Sequence, residues 1–105
     1  MHADLLALSL LIRDNAELPK GRALVEAVQS GPDELRELVE TMKVRALTPF
    51  RRVLDRAGAR GEIAPEADLA VIAYLAFYGV VLWGQIHGGP PTDEDCARII
   101  RTVLP

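Results

Sequence analysis

The sequence predicts an all-α fold, and three observations carry that reading. Apolar residues recur at steps of three and four over long windows. No window alternates with period two for long enough to make a strand, and β-branched residues are sparse. Gly and Pro punctuate the chain at 18–21, 30–32, 60–65 and 87–91, supplying the backbone angles and missing donors that end helices.

Taken in order, the first segment is Leu-rich over 3–13 and ends near Asp14 and Asn15. A short second helix is expected over 21–29, with Leu24, Val25 and Val28 on its apolar side; alternatively, Pro19 kinks one longer helix. The best-defined helix covers 33–59, where Leu35, Leu38, Val39, Met42, Ala46, Phe50, Val53, Leu54 and Ala57 share one face. Pro49 falls inside that pattern without disturbing its phase, so one kinked helix is expected. Arg51, Arg52, Arg56 and Arg60 crowd its C-terminal end, where positive charge complements the helix dipole, and Gly61 is the expected left-handed cap.

A further helix is expected over 66–87, opened by Pro65, Glu66 and Asp68. Within it, positions 69–86 carry no charge over 18 residues. The last helix starts at Thr92, which with Asp95 approximates a capping box. Its apolar stripe is Cys96, Ile99, Ile100 and Val103.

Composition bounds the function. At 105 residues, half of them apolar, the chain fits one domain able to bury roughly two-thirds of its unfolded surface. Fifteen acids against twelve bases give a net charge of −3, unlike a general nucleic-acid binder. One cysteine, Cys96, forbids an intrachain disulfide, and two histidines leave no metal site or catalytic triad to assemble. No cofactor and no enzymatic activity are expected. The start, Met1 to Asp4, lacks the basic region of a secretory signal, and no small-residue cleavage site follows the apolar run at 5–12. A cytoplasmic protein is the expectation.

The uncharged stretch has three readings. At ~1.5 Å per residue it reaches ~27 Å, close to a bilayer core, but acids flank it and no Lys or Arg lies near either end to orient it. A central core helix is the plainest reading, yet the remaining helices of so short a chain can hardly cover every side. The third reading lays part of its surface against a second copy of the chain, with Ala73, Ala76, Gly79 and Gly84 permitting close approach.

The order of elements carries a resemblance. It comprises Pro49-Phe50-Arg51-Arg52, then Leu54-Asp55-Arg56-Ala57, the cap Arg60-Gly61-Glu62-Ile63, and Asp68 opening an apolar helix. The Gly79 to Trp83 stretch follows, with Gly88-Gly89-Pro90-Pro91, Asp93-Glu94 and a closing helix ending Val103-Leu104. This set resembles the C-terminal domain of TetR-family transcriptional regulators, from about Pro32 to the end and more weakly before it. The resemblance implies a helical domain that dimerises through its last two long helices, packed as a four-helix bundle across a two-fold axis. It implies a cavity for a small lipophilic effector, whose binding changes DNA contact by an N-terminal helix-turn-helix. Nothing before Pro32 reads as that module, so DNA would be met only through a domain outside this chain. Members often carry Pro after the glycine and Arg near the end of that helix, where this chain has Val80 and Gly84.

Candidate residues follow. Met42, Phe50, Tyr74, Phe77, Tyr78 and Trp83 are bulky side chains suited to a ligand cavity, with Arg45 and Gln85 as orienting groups. Each also suits a core or a dimer contact. Tyr78, Val81, Leu82, Gln85, Cys96, Ile99, Ile100 and Val103 are the candidate dimer interface. Tyr74, Tyr78, Leu82 and Gln85 share one side of their helix, and that side suits a cavity or a wet interface equally. The leading expectation is an effector-sensing homodimerisation domain with no membrane partner; the alternative is a homodimeric interaction module without a pocket. A small helical enzyme would require Cys96 and His87 to meet in a cleft.

Overall fold

The computed structural model describes residues 1–16, 18–21, 23, 26, 33 and 36–104, with Val39 by its backbone alone. Among them five helices carry the fold and no strand occurs: α1 (His2–Ala16), α2 (Arg36–Ala59), α3 (Leu69–Val81), α4 (Trp83–His87) and α5 (Asp93–Val103). The all-α expectation holds. Most of the short helix expected over 21–29, with Leu24, Val25 and Val28, lies outside the described residues, as do Pro32 and Leu35.

Local chemistry sets the helix ends. At the end of α2, Gly61 stands at φ +75°, its N–H donates to the Gly58 carbonyl at 3.1 Å, and the Glu62 N–H donates to Ala57 at 2.9 Å. That pair of bonds is a Schellman arrangement, which satisfies two carbonyls the helix would otherwise leave open. α2 runs through Pro49. Its missing donor costs about 3 kcal/mol in a helix interior, and burial of Phe50, Val53 and Leu54 on the following turns opposes that cost.

α3 starts later than the sequence suggests. Asp68 keeps an extended backbone and its carboxylate accepts from the Val71 N–H at 3.1 Å, so the helix begins at Leu69 rather than Glu66. The single helix expected over 66–87 is also divided. Leu82 ends α3, and the Gln85 N–H reaches back only three residues to the Leu82 carbonyl at 3.1 Å. Gly79 and Gly84, with β-branched Val80 and Val81 between them, make this the weakest helical stretch of the uncharged run. Among the described residues no helix is long and apolar enough to cross a membrane.

α5 opens on the capping box read from the sequence. The Asp95 N–H donates to Thr92 Oγ1 at 3.1 Å and the Thr92 N–H donates to Asp95 Oδ2 at 3.0 Å. Thr92→Ala is expected to lower stability by about 1 kcal/mol in thermal unfolding. The Thr92 backbone donor also holds the Asp95 carboxyl below its usual value of 3.8. A carboxylate depressed on folding stabilises above its unfolded pKa and loses that contribution as pH falls through the folded one. The stability gap between the native chain and Asp95→Asn is therefore expected to close below about pH 4, measured as urea midpoints along a pH series.

The core draws Leu5 from α1, Phe50, Val53 and Leu54 from α2, Ala73 and Ala76 from α3, and Ile100 and Leu104 from the end of the chain. α1 packs on α2, α3 and α5, and α3 packs on both α2 and α5. His2 Nε2–H donates to the Leu104 carbonyl at 2.9 Å, joining the start of α1 to the end of α5. Ala73, Ala76 and Gly79 act within the protomer, which corrects the expectation that these three admit a second copy. Ala73 and Ala76 are buried in the core. A Cβ at Gly79 would stand 3.0 Å from Ile99 Cγ2, so this glycine lets α3 and α5 approach each other.

Among the described residues one buried side-chain polar group lacks a partner. Ser9 on α1 is fully buried and its Oγ makes no hydrogen bond. A buried hydroxyl left unpaired costs desolvation energy that alanine does not. Ser9→Ala is expected to raise stability by about 1 kcal/mol in guanidinium unfolding.

Candidate functional site

α3 has two unlike sides. Ala73, Ala76 and Val80 turn inward, while Val71, Tyr74, Leu75, Tyr78 and Leu82 share the opposite side at steps of three and four. Val71 is 49% exposed, Tyr74 43% and Leu75 53%, and beyond the break Ile86 is 77% exposed. The stripe holds no charged side chain. α5 differs: its exposed residues include Glu94, Arg98 and Arg101, and Arg101 Nη2 donates to Glu94 Oε1 at 2.6 Å. One helix thus presents an apolar seam and the other a solvated, internally paired face.

Four rings lie in sequence beside that seam. Phe50 and Phe77 meet edge to face at 6.4 Å, Phe77 and Tyr78 at 5.2 Å, and Tyr78 stacks obliquely on Tyr74 at 4.8 Å. The run leads from the core to the surface, where Lys43 Nζ donates to Glu40 Oε1 at 2.8 Å and to the Tyr74 hydroxyl at 3.2 Å. Glu40 first, and the Tyr74 hydroxyl second, raise the Lys43 pKa above its ordinary value. Burial first, and the Tyr74 hydroxyl second, raise that of Tyr78.

A cleft of about 360 Å³ opens at the break between α3 and α4. Val80 and Val81 line it from one side of the break, Gly84 and Gln85 from the other, and the Gly88–Pro91 turn closes one end. Arg13 and Ala16, at the end of α1, and Glu26 complete the lining. Arg13 Nε donates to Asp14 at 3.1 Å, and its Nη1 donates to Asp93 at 2.5 Å and to the Pro91 carbonyl at 3.4 Å. These bonds tie α1 to the start of α5 across the cleft. A shallower apolar groove of about 560 Å³ lies between Leu6 of α1 and Ile100 and Leu104.

The sequence candidates separate accordingly. Phe50, Phe77, Tyr78 and Tyr74 come together, but Phe50 is fully buried in the protein core rather than facing a cavity. Met42 and Arg45 lie exposed on α2, and Trp83 stacks on His87 at 4.2 Å. Neither described cavity is lined by any of these side chains. Of the interface candidates, Tyr78 and Leu82 lie on the seam, whereas Val81 and Gln85 line the cleft. Cys96 and Ile100 are buried in the protomer, Ile99 packs at Gly79, and Val103 packs on the core. Cys96 and Ile100 therefore have no free surface to offer a second copy.

Cys96 and His87 share no cleft: the thiol is fully enclosed and pushed up by that burial, and His87 is exposed. Among the described residues no group of three or more His, Cys, Asp or Glu could hold a metal. Val71, Leu75 and Ile86 were readable from their spacing with Tyr74, Tyr78 and Leu82 but do not stand among the sequence candidates. The contacts of Arg13 with Asp93 and of Lys43 with Tyr74 carried no such signal, because these partners lie far along the chain.

Comparison with known proteins adds a family and no individual relative. The chain matches the family model described as "Tetracyclin repressor-like, C-terminal domain" over residues 1–103. No curated protein and no solved structure matches it. The match covers α1 and the entire α2–α5 assembly, and the chain belongs to the tetracyclin repressor-like C-terminal domain family.

Proposed function

We propose that this chain is the effector-sensing and dimerisation domain of a TetR-like transcriptional regulator acting in the cytoplasm. The observation that carries the proposal is the uncharged seam of Val71, Tyr74, Leu75, Tyr78, Leu82 and Ile86, standing outside a core that is already complete. Family membership supports the same reading. An apolar patch of this kind marks an association surface. A second copy offers what the seam lacks, another uncharged helix side. Two such sides related by a two-fold axis meet without like-charge repulsion. DNA contact in this role belongs to a helix-turn-helix domain, and a small-molecule effector shifts the population of dimer geometries by binding them unequally.

Sedimentation equilibrium from about 1 to 100 μM is the test, because association depends on concentration by mass action. The expected mass is that of two chains. A single-chain mass at the highest concentration would overturn the dimerisation half of the proposal.

A further inference from the structure

We propose that the cleft at the α3/α4 break is the effector site, and that it takes a small uncharged organic molecule with an amide or carbonyl acceptor and an apolar body. This rests on the effector-sensing reading above. The ligand class follows from how Arg13 is already bound. Asp14 and Asp93 answer its charge through Nε and Nη1, and the Pro91 carbonyl takes a further bond. Nη2 remains without a hydrogen-bond partner among the described residues. A guanidinium already answered by two carboxylates disfavours an anion. It still supplies a directional N–H donor to a neutral oxygen. Gln85 adds an amide that both donates and accepts. Val80, Val81 and Pro91 provide apolar surface for the rest of the molecule.

Position gives the cleft its regulatory consequence. Both sides of the helix break contribute to its wall, so an occupant touches α3 and α4 at once. Its affinity depends on the angle between them, and any difference in affinity shifts the population of that angle. Leu82 and Ile86, on the seam at the same break, move with it.

The probe is N-cyclohexylacetamide, compared with cyclohexylacetate and cyclohexylethylammonium as anionic and cationic counterparts. Binding is read by amide NMR shifts in the native chain. Saturable shifts at Gly84, Gln85, Gly88 and Gly89 are expected with the amide, at an affinity at least fivefold above either ion. Gly84→Leu, which drives a side chain into the cleft, is expected to weaken binding at least tenfold. Gly84→Ala keeps the fold as a control, since its Cβ would meet only the Gly89 carbonyl at an ordinary 3.6 Å. Gln85→Ala, on an exposed position, is expected to weaken binding without unfolding risk. Stronger binding of either ion overturns the ligand class. Saturable shifts confined to the Phe77–Tyr78 region overturn the site while leaving effector sensing intact. No saturable binding of any probe overturns the cleft proposal, and the dimerisation half of the wider reading is then judged by sedimentation alone.

Discussion

Phe50→Ala is expected to remove about 3–5 kcal/mol of folding stability. The ring is fully buried, and it meets Phe77 edge to face at 6.4 Å with planes inclined by 79°. Truncation discards the transfer energy of the ring, leaves a cavity between α2 and α3, and breaks an aromatic pair worth about 0.5–1.5 kcal/mol by itself. Leu54 and Val53 occupy the adjoining core positions, and α2 is packed against both α1 and α3, so the site has little room to collapse. A domain of this size is stable by only about 5–15 kcal/mol, and the variant should be near the edge of folding. Urea midpoints at one fixed protein concentration measure the loss, with an unchanged slope showing that the denatured state is the same. Phe50→Leu is expected to cost distinctly less. A loss below about 1 kcal/mol for Phe50→Ala would mean that Phe50 borders empty space, as a ligand-cavity residue would.

Leu75→Arg is expected to dissociate the proposed dimer while leaving the protomer folded. Leu75 is 53% exposed and sits midway along the α3 seam, so the single chain loses little by the change, and arginine is a good helix former. In the dimer, the two-fold axis would bring two guanidinium groups into an apolar interface. Like charges set together in such a place cost several kcal/mol, which weakens association by a hundredfold or more. Sedimentation should show single chains, and circular dichroism should show native helicity. Arg98→Ala on the charged face of α5 is the contrasting variant and is expected to leave association unchanged. If Arg98→Ala dissociated the chains and Leu75→Arg did not, the interface would lie on α5 instead.

Much of this was legible in the sequence because it depends on neighbours a few residues apart. The capping box of Thr92 and Asp95, the Gly61 cap and the passage of α2 through Pro49 are local matters. Their geometry follows from side-chain chemistry within one or two turns. The uncharged run at 69–86 likewise announced a helix with more apolar surface than the chain could cover. The order of elements was enough to suggest the family that the match over residues 1–103 shows.

The division of labour around α3 was not local. Periodicity marks a helix all of whose sides are apolar but cannot say which side meets its own chain. Packing placed Ala73 and Ala76 in the core, with Ile72 and Phe77 packed against it, and left Val71, Tyr74 and Leu75 exposed. Tertiary contact also buried Cys96 and Ile100, turned Val81 and Gln85 into a cleft, and brought Arg13 to Asp93. By itself, then, the sequence determined the helices, their caps and an unmet demand for apolar cover. Only the tertiary structure decided which residues meet that demand within the protomer and which remain outside, because burial depends on partners distant in sequence whose approach no periodicity encodes.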